Sequence, residues 1–166
     1  EYNAVFLVSA TSVPWAEAQY TDMMSKFLFM SNIVDVSSIS VMADGKETTF
    51  ELTHFPDETD NDKKLTVTVD GKTYSTSDFR SLYQVFMQVN RYGETDETPS
   101  GEPDVTFTLR LSDEEESPLT ARFYKQNANV YICAIEGGDT YTVKGSDVTN
   151  MLKQVENYLA GKEVIY

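Results

Sequence analysis

Short runs of alternating apolar and polar residues recur along the chain, and most of them stop at a turn signal. Ile39 and Val41 alternate with Ser40 and Met42 before Asp44-Gly45. An Asp-Gly pair favours a two-residue type I′ turn, because both turn positions need positive φ. The spacing therefore predicts a hairpin with Val41 opposite Thr48 and Ile39 opposite Phe50. Leu65, Val67 and Val69 alternate with Thr66 and Thr68 before Asp70-Gly71, which sets Val67 opposite Tyr74 and Thr68 opposite Thr73. One face of these strands is apolar and the other is rich in hydroxyls, the pattern of a sheet covered on one side. In the second half, Phe107, Leu109 and Leu111 alternate, as do Leu119, Ala121 and Phe123, with Asp113 to Glu116 and Pro118 between them. Residues 129–135 are apolar on both faces and read as a central strand, followed by a turn at Gly137-Gly138.

Helical spacing appears in three places. Phe79, Leu82, Phe86 and Val89 form one stripe, and Val148, Met151, Leu152, Val155 and Leu159 another, stopped by Gly161. Met23, Met24, Phe27 and Leu28 form a shorter one. Thr21-Asp22, Ser77-Asp78 and Ser146-Asp147 each offer an N-cap hydroxyl and an acid in the first turn. Each helix is expected to cover the apolar face of its own hairpins.

These elements follow one order, which predicts an internal repeat of about two and a half hairpin–hairpin–helix units. The predicted fold is α+β, with antiparallel sheets built from hairpins and each packed by a helix. Residues 1–93 would hold a truncated first unit and the first full unit, and residues 105–166 the second full unit. Residues 94–104 carry five acids, no base and no apolar side chain but proline, and read as a solvated connector or mobile loop. The units either share one sheet across this connector, as one compact domain, or pack as separate lobes.

Charge and composition narrow the function. The chain has 166 residues, with 13 Lys and Arg against 27 Asp and Glu, a net charge of −14. Such acidity argues against nucleic acid, which needs a basic surface to displace counterions, and against an anionic membrane surface. No apolar run approaches the ~18 residues of a membrane span. One cysteine, Cys133, precludes an intrachain disulfide, and one histidine, His54, precludes a multi-histidine metal centre. The chain starts at Glu1 rather than at a methionine, as expected of a processed product or a domain cut from a longer protein.

The candidate chemistry is thin. His54 ends a strand with no local orienter or nucleophile, so an exposed strand-end histidine is the simpler reading. Asp57, Glu58, Asp60 and Asp62 fail the EF-hand pattern, because Leu65 and Gly71 stand where Gly and Glu are required. Cys133 lies in an apolar strand and reads as a buried, inert thiol. No catalytic residue, cofactor site or metal site is assigned. Trp15 and Tyr20 near the N-terminus, together with Tyr92, are the candidate contacts to a ligand or partner, since aromatic side chains stack on sugars or anchor proteins.

Two stretches carry a resemblance. One runs from Val5-Phe6-Leu7-Val8-Ser9 through Lys26-Phe27-Leu28 and Val34-Asp35-Val36-Ser37-Ser38-Ile39 to the Asp44-Gly45 hairpin. The other runs from Asn129-Val130-Tyr131-Ile132 through Gly138 and Tyr141-Thr142-Val143 to the final helix. Together they resemble the bacterial domain-of-unknown-function family numbered 4340. The resemblance implies an extracytoplasmic location, a membrane anchor upstream of Glu1, and partners among envelope proteins such as an ABC-type exporter. It brings no catalytic residues. The leading expectation is therefore a non-catalytic accessory or protein-interaction domain of an envelope or transporter-associated assembly. A module binding cell-wall glycan or peptide is the second reading, and a carboxylate-dependent hydrolase the third.

Overall fold

Asp44 and Gly45 adopt φ of 51° and 72°, and Asp70 and Gly71 adopt 50° and 73°, so both Asp-Gly pairs make the left-handed turns their sequence favours. They close two hairpins, β1 (Val36–Ala43) with β2 (Lys46–His54) and β3 (Leu65–Val69) with β4 (Lys72–Tyr74). The registers are those expected: Val41 faces Thr48, Ile39 faces Phe50, Val67 faces Tyr74 and Thr68 faces Thr73. This computed structural model describes residues 26–61, 63–113 and 115–166. After β4 come α1 (Thr76–Met87), β5 (Arg91–Glu94), β6 (Val105–Leu111), β7 (Leu119–Lys125), β8 (Val130–Ile135), β9 (Thr140–Lys144) and α2 (Gly145–Leu159). The fold is α+β.

All nine of these strands join one antiparallel sheet in the order β4-β3-β2-β1-β6-β7-β8-β9-β5. Of the two arrangements expected, one shared sheet or separate lobes, the structure has the shared sheet. The seam lies between β1 and β6, where Ile39 faces Leu109 and Val41 faces Phe107. Pairing there satisfies two open strand edges at once and fuses two apolar faces into one. The helices are not confined to their own hairpins either. Phe86 of α1 meets Phe107 of β6 at 5.4 Å between ring centroids, and Tyr158 of α2 meets Phe50 of β2 at 5.8 Å. The Tyr158 hydroxyl donates to the Ser75 carbonyl at 3.0 Å, tying the end of α2 to the start of α1.

A single core lies between the helices and one sheet face. Phe29, Phe50, Phe79, Phe86, Phe107 and Phe123 are all fully enclosed in it. The opposite face carries the hydroxyls, among them Ser40, whose Oγ lies 2.8 Å from Thr49 Oγ1. Ile132 is buried on that second face, beside the connector residues Pro99 and Ser100, which accounts for the two-sided apolar reading of β8.

Three local expectations need correction. Helix α1 is capped by Ser75, whose Oγ accepts from Asp78 N, rather than by Ser77. Helix α2 starts at Gly145, and Ser146 lies inside it, with its Oγ bonded to Asp147 Oδ1 rather than capping. The chain leaves β9 directly into the helix because Gly145 N donates to Asn129 O at 2.7 Å. Phe27 and Leu28 are not helical: Phe27 bridges Asn90, and Arg91 N donates to Lys26 O at 2.7 Å. The rest of that predicted stripe, with Thr21-Asp22, lies outside the described residues. Glu94 ends β5, Asp104 Oδ2 accepts from Lys125 N at 2.7 Å, and Glu97 accepts from the Gln126 side chain. No helix among the described residues is long and apolar enough to cross a membrane.

Candidate functional site

Positions 80, 83 and 87 of α1 stand on one side of the helix, because three and seven residues are nearly one and two turns. Arg80, Tyr83 and Met87 occupy them. Against this stripe lies an irregular segment, residues 27–34, leading into a single 3-10 turn at Ile33–Asp35. Tyr83 fastens it: the phenol is buried and donates to Ser31 O at 2.7 Å. Burial, and then the charge of Asp35, push the Tyr83 pKa up to about 12, so it remains a donor throughout the physiological range. Phe29 anchors the same segment from below by stacking on Phe107 at 4.5 Å.

The fastened segment separates two depressions. On the Met87 side is an apolar groove of about 390 Å³, walled by Phe27, Phe29 and Met30. Phe27 and Met30 are 51% and 74% exposed, and Val34 further along is 57% exposed. On the Arg80 side is a cleft of about 520 Å³, lined by Ile33, Val34, His54, Asn61, Lys64, Leu65 and Arg80. His54 is half-buried there, and its Nε2 lies 2.7 Å from Val36 O, so that nitrogen carries the proton and the ring is fixed in place. The expected exposed strand-end histidine is thus a partly buried ring in a cleft.

The residues singled out from the sequence do not assemble here. Trp15 and Tyr20 lie outside the described residues. Tyr92 sits on the edge strand β5, 65% exposed, with Lys144 Nζ 5.4 Å from its ring centre. Cys133 is fully enclosed, and burial pushes its thiol up to about 12, which suppresses the thiolate needed for nucleophilic chemistry. Among the described residues no cluster of three or more His, Cys, Asp or Glu is arranged to hold a metal ion. The groove under Glu94, Asp96, Glu97 and Asp139 is acidic and polar.

Comparison of the chain with family models, with curated proteins and with solved structures gave no match in any of the three. Sequence reasoning missed the surface around Tyr83 because its parts come from three places in the chain. Phe27 was absorbed into a helical stripe, and Arg80 and Met87 fall outside the main apolar stripe of α1. The one available signal was the spacing of Arg80, Tyr83 and Met87, which is meaningful only once the segment it holds is known.

Proposed function

We propose that this chain is a non-catalytic, extracytoplasmic accessory domain that docks a partner protein of the cell envelope through the groove beside Met87. The observation that carries the reading is the pair of large apolar side chains, Phe27 and Met30, exposed on this groove beside a buried tyrosine clamp. Contiguous exposed apolar surface on a folded domain marks an interaction site. The net charge of −14 favours a partner whose contact has an apolar centre and a basic rim. The envelope location and an ABC-type exporter as partner come from the family resemblance. The internal repeat belongs to the same proposal: four strands and a helix occur twice in the element order, which supports descent of both halves from one unit.

The test is in-cell photocrosslinking from a reactive residue placed at Met30, with a second probe at Thr108 on the hydroxyl face. An envelope protein captured from Met30 and not from Thr108, and lost in a Met30→Glu background, is the expected result. Equal capture from both positions, or fractionation of the native protein into the cytosol, refutes the reading.

A further inference from the structure

The second depression has an electrostatic character at odds with the rest of the chain. Acids outnumber bases 27 to 13, yet the described lining of this cleft contains His54, Lys64 and Arg80 and no carboxylate. All three side chains are only partly exposed. The two salt bridges found among the described residues involve Lys63 and Arg122, neither of which lines the cleft. Arg80 spends Nη2 on a long bond of 3.4 Å to Asn61 O, which steadies the guanidinium against the loop without neutralising it. Lys64 is fixed at its backbone, where its carbonyl accepts from Phe55 N at 2.8 Å. Among the described residues no carboxylate stands against these two cations in the cleft, and an anion held between them would supply the countercharge.

The remaining wall fixes the kind of anion. Ile33, Val34 and Leu65 present aliphatic surface beside the cations. A guanidinium matches a carboxylate in a planar, two-point arrangement, and an apolar group attached to that carboxylate fills the aliphatic wall. We infer that the cleft between His54, Lys64 and Arg80 binds a carboxylate that carries an apolar substituent. That chemistry is shared by a small organic acid and by the C-terminus of a peptide ending in an aliphatic residue. The inference stands apart from docking at Met30, because it uses neither Phe27 nor Met30.

His54 is the only histidine, so its imidazole gives one unambiguous set of NMR signals. N-acetyl-leucine titrated into the full chain should move those signals along a saturating curve with a Kd of roughly 1 mM or tighter. N-acetyl-leucine amide, which lacks the charge, should leave them in place. Arg80→Gln should weaken binding by about tenfold at an unchanged unfolding midpoint, in keeping with loss of a charge-assisted bond. If that variant fails to fold, Lys64→Gln replaces it, with a smaller loss expected. A peptide ending in leucine that binds more tightly than the free acid identifies a chain terminus as the source, and weaker binding identifies a small acid. Shifts that do not saturate, that appear equally with the amide, or that inorganic phosphate reproduces in full, overturn the assignment.

Discussion

Alanine at position 145 sets two effects of opposite sign against each other. Gly145 opens α2, and its backbone lies outside the left-handed region, so no conformational demand calls for glycine there. Helix propensity alone favours alanine by up to about 1 kcal/mol. Space opposes it: a Cβ at this position would stand 2.4 Å from Ala128 O and 3.0 Å from Asn129 C. Both obstacles are backbone, so the start of the helix or the 128–129 peptide must move by more than half an ångström. That movement breaks the Gly145 N to Asn129 O bond, worth about 1 kcal/mol, and adds packing strain of about 1–3 kcal/mol. Net destabilisation of about 1–3 kcal/mol is expected for Gly145→Ala. For a chain of this size that lowers the thermal midpoint by roughly 3–10 °C. In urea, with a slope of about 2 kcal/mol per molar, the midpoint falls by roughly 0.5–1.5 M. Ser146→Ala, one residue on and exposed, is the control and should stay within ~0.5 kcal/mol. An unchanged or raised midpoint for Gly145→Ala would show that the close approach is not what selects glycine.

Other outcomes follow from the same structure. Leu82→Ala removes a fully enclosed side chain from the α1 stripe and should cost about 2–5 kcal/mol in urea melts. Tyr83→Phe loses the bond to Ser31 O and should cost about 1 kcal/mol, with faster amide hydrogen exchange in residues 27–34. Stability should fall in alkali. Burial raises the Tyr83 pKa from 10.0 to about 12, so its contribution is complete below pH 10.0 and is lost as the pH climbs through about 12. Tyr158, raised by burial and then by Asp78, acts in the same direction, and denaturant melts across that window measure both. Cys133 should resist thiol reagents near neutral pH until the chain unfolds, so labelling should follow the unfolding rate; fast labelling of the native protein would contradict its burial.

Local structure was legible wherever a single residue type decides it. Asp44-Gly45 and Asp70-Gly71 set their hairpins because few other pairs accept two positive φ values, and the alternation in β1 and β3 then fixed which face was apolar. Gly161, at φ 66°, ends α2 as expected, and Lys162 N bonds back to Asn157 O. Long-range arrangement was less legible. The pairing of β1 with β6 depends on two apolar faces being compatible, and alternation says nothing about which strand lies next door. Both helices start two residues earlier than expected, at the cap Ser75 rather than Ser77 and at Lys144 rather than Ser146, because several neighbouring positions can serve as a cap. The His54 cleft was hidden for a similar reason: Lys64 and Arg80 are ordinary solvent-facing residues until a fold brings them to one histidine.

The β1–β6 seam also governs how the chain must be made. During synthesis β1 leaves the ribosome well before β6, by several seconds at ~5–20 residues per second. For that interval the first four strands present an open edge, on a strand whose Ile39 and Val41 belong to the core. A nascent chain in this state has half a sheet and a ready template for pairing with a neighbouring copy. Among the described residues the finished sheet is bordered by short strands, three residues in β4 and four in β5. Its exposure to aggregation is therefore concentrated in the seconds before translation reaches β6, so slow translation between Glu94 and Val105 should lower soluble yield without altering the stability of the molecules that fold.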